Sequence, residues 1–94
     1  MDREPLVEAL LHKKIVSLEY TKATTGEIVS HTGGIYEIGT NKKGESCLWL
    51  WDINSNDTIR QFLLGNIIGY QILDTDFMPP NPWPLKLDGA EVGY

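Results

Sequence analysis

The sequence predicts a mainly β domain: five antiparallel strands in a closed or nearly closed small barrel, with a short N-terminal helix and a proline-rich C-terminal tail. Three observations predict it. Hydrophobicity changes from a helical period to a period of two at Ile15 and keeps that period to about Asp74. The turn-forming stretches ATTG, NKKG and NSND fall between these runs at short intervals, which joins successive strands as antiparallel neighbours. Four of the five prolines, Pro79, Pro80, Pro82 and Pro84, lie within six residues near the C-terminus, where a central strand cannot hold them.

Residues 2–13, DREPLVEALLHK, read as the helix. Asp2 can cap it, Pro5 suits its first turn, and Leu6, Val7, Leu10 and Leu11 give it one apolar face. So short a helix is marginal in water, so its apolar face has to cover part of the sheet. In IVSLEYTK the residues Val16, Leu18 and Tyr20 alternate with Ser17, Glu19 and Thr21, as in a half-buried strand. EIVSHTGGIYEIG, 27–39, is a second, long strand that Gly33-Gly34 bends or bulges. ESCLWLWDI, TIRQFLL and IIGYQILD supply the third, fourth and fifth strands, the last two joined through Leu64-Gly65-Asn66. Residues 1–77 make one domain, and 78–94 an extended tail, loose from Gly89 onward and carrying Trp83 among its prolines.

The third strand, SCLWLWDI, poses the sharpest question. Alternation puts Cys47, Trp49 and Trp51 on one face and Leu48, Leu50 and Asp52 on the other. Both faces are too apolar to be freely solvated, so one is core and the other is covered, by the helix, by Trp83 or by a partner. The pattern leaves open which face is which.

With 94 residues, 41% of them apolar and 22% charged, the chain has the composition of a soluble globular domain that folds alone or as a small homo-oligomer. No apolar run reaches the ~18 residues of a membrane span, and acidic residues stand where a secretory leader is basic, so the expected location is cytoplasmic. The single cysteine, Cys47, allows no internal disulfide and no cysteine-based metal cluster. A formal charge of −5 runs against nonspecific nucleic-acid binding, which draws its affinity from phosphate neutralisation. His12 and His31 lie in different elements without ligand spacing and read as surface polar residues, Asp74 and Asp76 read as a solvated strand end, and Cys47 as a small buried hydrophobe. No catalytic constellation, metal site or cofactor is expected.

From about Leu10 to Phe77 the chain resembles the WYL domain, an SH3-like or Sm-like small barrel of bacterial and phage regulators. The features that carry the resemblance are VSLEY, the turn KATTGE, the strand CLWLWD, and IRQFLLGNI followed by ILDTDF, in which Arg60, Phe62, Leu64 and Ile67 match the family's Arg-x-Phe-x-Leu-x-x-Ile. Leu63, Gly65 and Asn66 stand where the family carries an arginine and an aspartate-arginine pair, and Ser46-Cys47 where it carries tryptophan-tyrosine. The resemblance implies a sensor of nucleotide-like or nucleic-acid ligands. Two functions follow. The preferred one is a non-catalytic protein-interaction module, an adaptor, regulator or inhibitor that docks on a larger protein through Trp49, Trp51 and the tail residues Pro79, Pro80, Pro82 and Trp83. The alternative is a WYL-like ligand sensor or single-stranded nucleic-acid binder using Lys13, Lys14, Lys22, Lys42, Lys43 and Arg60 as a basic patch. The net charge and the missing arginines favour the first.

Overall fold

A computed structural model describes residues 2–22, 24–52, 58–78 and 84–92. Helix α1 spans Glu4–Leu11. Pro5 stands in its first turn, where the absent amide costs nothing, and the Asp2 carboxylate accepts the Glu4 amide at 3.0 Å. Leu6, Val7, Ala9 and Leu10 are buried against strands β1, Lys14–Thr21, and β2, Ile28–Thr40. Each leucine so buried contributes about 2 kcal/mol.

The turn out of α1 is made by a residue poorly suited to it. Lys13 has φ 55°, in the left-handed region where a Cβ crowds its own carbonyl, and its carbonyl accepts the amide of Phe77 at 2.6 Å. Replacing Lys13 with glycine is therefore expected to raise stability by about 0.5–1 kcal/mol, read as a higher urea midpoint at unchanged slope. No change or a loss would mean that the lysine side chain contributes as much as the backbone strain costs.

Strands β3, Ser46–Asp52, β4, Thr58–Leu63, and β5, Ile67–Asp76, complete a sheet in the order β4-β3-β2-β1-β5, antiparallel along that path. A single 3-10 turn, Leu64–Asn66, links β4 to β5. Among the described residues no ladder joins those two strands.

β2 is the spine. Its first half pairs with β1, from Ile15 opposite Gly34 to Thr21 opposite Ile28, and its second half pairs with β3, from Gly33 opposite Asp52 to Thr40 opposite Ser46. The glycine pair lies where the two ladders overlap. The register irregularity itself falls a step later, between Ile35 and Glu37. A Cβ on Gly33 would overlap the carbonyl oxygen of Trp51, and one on Gly34 would overlap the ring of Phe77, which is buried over this position. Close approach, more than bulging, is what these glycines supply.

The sheet resolves the ambiguity of SCLWLWDI. Leu48 and Leu50 are fully buried in the core with Leu6, Leu10, Val16, Leu18, Ile35, Ile38 and Phe62, while Trp49 and Trp51 lie half-buried on the opposite face. Trp51 sits directly across from Gly34, the position Phe77 covers, and packs on the edge of the core.

Residues 85–92 differ from the extended, loose tail that the prolines predict. Strands β6, Leu85–Leu87, and β7, Ala90–Val92, form a hairpin, and β6 runs parallel to β2 with Lys86 opposite Glu37 and Leu87 opposite Ile38. Asp88 and Gly89 both take positive φ, 51° and 87°, as a two-residue type I′ turn requires. Leu85 is buried at 3% exposure, and its entry into the core offsets the cost of ordering the segment. Arg3 clamps the turn to the helix end, donating to both Asp88 oxygens at 3.0 and 2.7 Å. That pair holds Asp88 below the usual carboxylate range and raises the Arg3 guanidinium. Among the described residues no helix is long and apolar enough to cross a membrane.

Candidate docking cleft

The outer face of β2, β3 and β4 carries cross-strand rows. Glu37, Trp49 and Gln61 form one, and Gly39, Cys47 and Leu63 the next. Gly39 is buried against the β6–β7 turn, where a Cβ would lie 3.7 Å from the Asp88 backbone, and Cys47 is fully buried, its sulfur accepting the Gln61 side-chain amide at 3.2 Å. The surface dips beside Trp49 and Gln61.

The β2–β3 hairpin forms one wall of the dip. Asn41 organises it: its side-chain oxygen accepts the amides of Lys43 and Glu45 at 2.9 and 3.0 Å, and its side-chain nitrogen donates to the Glu45 carboxylate at 3.1 Å. Gly44 turns the chain at φ 81°. With Asn41 and Glu45 engaged to each other, Lys42 and Lys43 are left exposed on the hairpin, with no ion-pair partner among the described residues. Tyr20, whose ring meets Phe62 edge-on at 4.8 Å, and Leu63 add apolar surface on the far side. The result is an open cleft of about 680 Å³, floored by Trp49 and bordered by both lysines.

Of the six cations predicted to form a basic patch, the cleft takes in two. Lys42 and Lys43 line the cleft. Lys14 binds Asp76 at 2.7 Å and Asp74 at 3.7 Å, a hydrogen-bonded pair that raises the ammonium and holds the Asp76 carboxyl down. These two acids are therefore tied to Lys14 as well as solvated. Arg60 is turned to Asp52, Lys13 occupies the helix exit, and Lys22 lies in the exposed β1–β2 turn. Of the residues predicted to meet a partner, Trp49 is in the cleft and Trp51 is not, while Pro79, Pro80, Pro82 and Trp83 lie outside the described residues.

One cluster escapes a reading by sequence spacing. Asp52 is 1% exposed on the leucine face of β3, and one of its oxygens bonds the His31 Nδ1 at 2.8 Å and accepts the Arg60 Nε at 3.1 Å. His31 is thus no free surface histidine: alternation along β2 turns it inward, opposite Leu18, with its ring 5.1 Å from that of Phe62. The only sequence signal is an aspartate in phase with Leu48 and Leu50, since a carboxylate on a core face requires partners. Comparison of the chain with family models, with curated proteins and with solved structures finds no match.

Proposed function

We propose that this chain is a non-catalytic protein-interaction module that docks a segment of a larger cytoplasmic protein in the Trp49 cleft, as an adaptor, regulator or inhibitor. The observation that carries the reading is the half-buried indole on the floor of an open cleft, beside a hairpin braced by Asn41. An aromatic platform of this kind contributes large contact area at little entropic cost, and Lys42 and Lys43 with Glu37 and Glu45 line the same cleft, so charged groups of either sign in the partner find a complement. We also infer that the sheet curls into an SH3-like small barrel of the WYL type. The strand order and the 3-10 turn bridging the two outer strands support this curl.

The test is site-specific photo-crosslinking in the native host, with a crosslinker at Gln61 in the cleft and, as a control, at Ser17 on the polar outer face of β1. The expected result is a discrete protein adduct from Gln61 alone, lost on Trp49→Ala. Adducts from both positions, or survival of the adduct in Trp49→Ala, would remove the cleft as the docking site.

The placement of Lys42 and Lys43 beside an indole also supports the second reading, a ligand sensor or single-strand binder in which a base stacks and the lysines meet phosphate. That reading requires binding of labelled single strands that weakens steeply with salt and disappears in Lys42→Glu/Lys43→Glu. Lack of binding at low salt would end it.

A further inference from the structure

The hairpin β6–β7 joins the sheet by its shortest ladder among the described residues. β6 meets β2 over two residues, Lys86 opposite Glu37 and Leu87 opposite Ile38, whereas β1 meets β2 over seven. β7 pairs with β6 alone. Within 85–92 only Leu85 is buried, with Leu87 and Val92 half-buried at the edge of the core. The turn is tied down by the Asp88 amide, which donates to the Ile38 carbonyl at 2.8 Å, and by the Arg3–Asp88 pair, whose side chains are 37% and 53% exposed. The same turn borders the cleft. A Cβ on Gly39 would lie 3.7 Å from the Asp88 backbone and 3.8 Å from the Glu37 carboxylate, so turn and carboxylate both crowd that glycine. Glu37 also lines the cleft, as do Thr40 and Asn41 farther along β2. The hairpin thus holds the strand that supplies one wall of the cleft.

We propose that residues 85–92 are a strap, which opens from β2 as a unit while the rest of the sheet stays folded, and that only the closed strap gives the Trp49 cleft its docking shape. The second half rests on the reading of the cleft as a docking site; the first stands without it. A segment held by one buried side chain, a short ladder and a solvated ion pair opens at a far smaller free-energy cost than the sheet beneath it. Opening removes the backbone that crowds Gly39 and Glu37, and the β2 wall of the cleft loses its support. Closure of the strap and occupation of the cleft therefore favour each other, each by the same factor. Because both charges of the Arg3–Asp88 clamp stand in water, salt loosens it, which makes ionic strength a control on the cleft.

Amide hydrogen exchange of the full chain across a series of urea concentrations tests the opening. The Asp88 amide should exchange ahead of the amides of β1, with a urea slope well below theirs. Added salt and Arg3→Ala should each raise the open fraction, the substitution by about two- to fivefold, and Leu85→Ala should raise it at least about thirtyfold. The cleft is followed by NMR: the Trp49 indole and Gln61 side-chain amide signals should move along one line through the parent, Arg3→Ala and Leu85→Ala, in proportion to the open fraction. Exchange of the Asp88 amide with the same urea slope as β1 overturns the strap, as does a Trp49 signal that stays fixed in both variants. The Gln61 crosslinker separates the two readings. A parent that gives no adduct removes docking, and with it the strap's part in docking, whatever the exchange shows; an adduct formed in equal yield by the parent and Leu85→Ala removes the strap's control of docking alone.

Discussion

Gly33→Ala is expected to lose about 3–5 kcal/mol, most or all of the stability of a domain this small. The methyl group would occupy the place of the Trp51 carbonyl oxygen, which belongs to the β3 backbone and takes part in the sheet that also fixes Gly33. Neither side can yield without breaking the ladder. Gly34→Ala is the informative companion, because there the obstacle is the Phe77 ring, a side chain that can turn away. Its expected loss is smaller, about 1–3 kcal/mol. In a Phe77→Ala background the same change should cost almost nothing, since the ring it strikes is gone. Urea denaturation of the four proteins of that cycle, with Gly33→Ala beside them, measures both. A Gly33→Ala protein as stable as the parent would mean that the two backbones are not in close approach, and an undiminished cost of Gly34→Ala without Phe77 would mean that the ring does not rest on that glycine.

The contrast between the two glycines marks how far the sequence could be read. A glycine pair inside a β pattern announces a special backbone position, but which neighbour makes it special depends on pairing that no local pattern contains. Likewise, the period-two runs place five strands correctly, yet SCLWLWDI is apolar in both phases, and only the helix and the remaining strands decide that Leu48 and Leu50 go inside. The hairpin at 85–92 was legible. Asp88-Gly89 between LKL and AEV is the strongest short hairpin signal in the tail, masked by the cluster of prolines just before it. The cleft was legible only in pieces: Trp49 and the lysines of NKKG stand out singly, and their meeting follows from the register of β2 against β3. The engagement of two other cations was not legible, since Lys14 and Arg60 are each claimed by an acid 62 or 8 residues away.

The second large effect concerns Asp52, where a distant pairing matters most. A carboxylate at 1% exposure is tolerable only while its charge is met, and the structure meets it with His31 and Arg60 at least. Asp52→Ala is expected to cost about 2–4 kcal/mol, because it opens a hole on the core face of β3 and releases two side chains that hold β2 and β4 to that strand. Arg60→Ala should cost less, about 1–2 kcal/mol, since Arg60 is partly solvated and its loss leaves the carboxylate with His31. The double change should cost clearly less than the sum, which is the signature of a shared interaction. Additive losses in urea denaturation, or a loss below about 0.5 kcal/mol for Asp52→Ala, would show that the carboxylate acts as an ordinary surface ion pair. The outcome also bears on function. The core-facing His31, Asp52 and Arg60 sit on the same β2–β3–β4 sheet whose outer face carries Trp49 and Gln61. If their coupling is strong, these strands form a rigid base for the cleft, and the partner proposed to dock there would meet a preformed surface rather than one it must order.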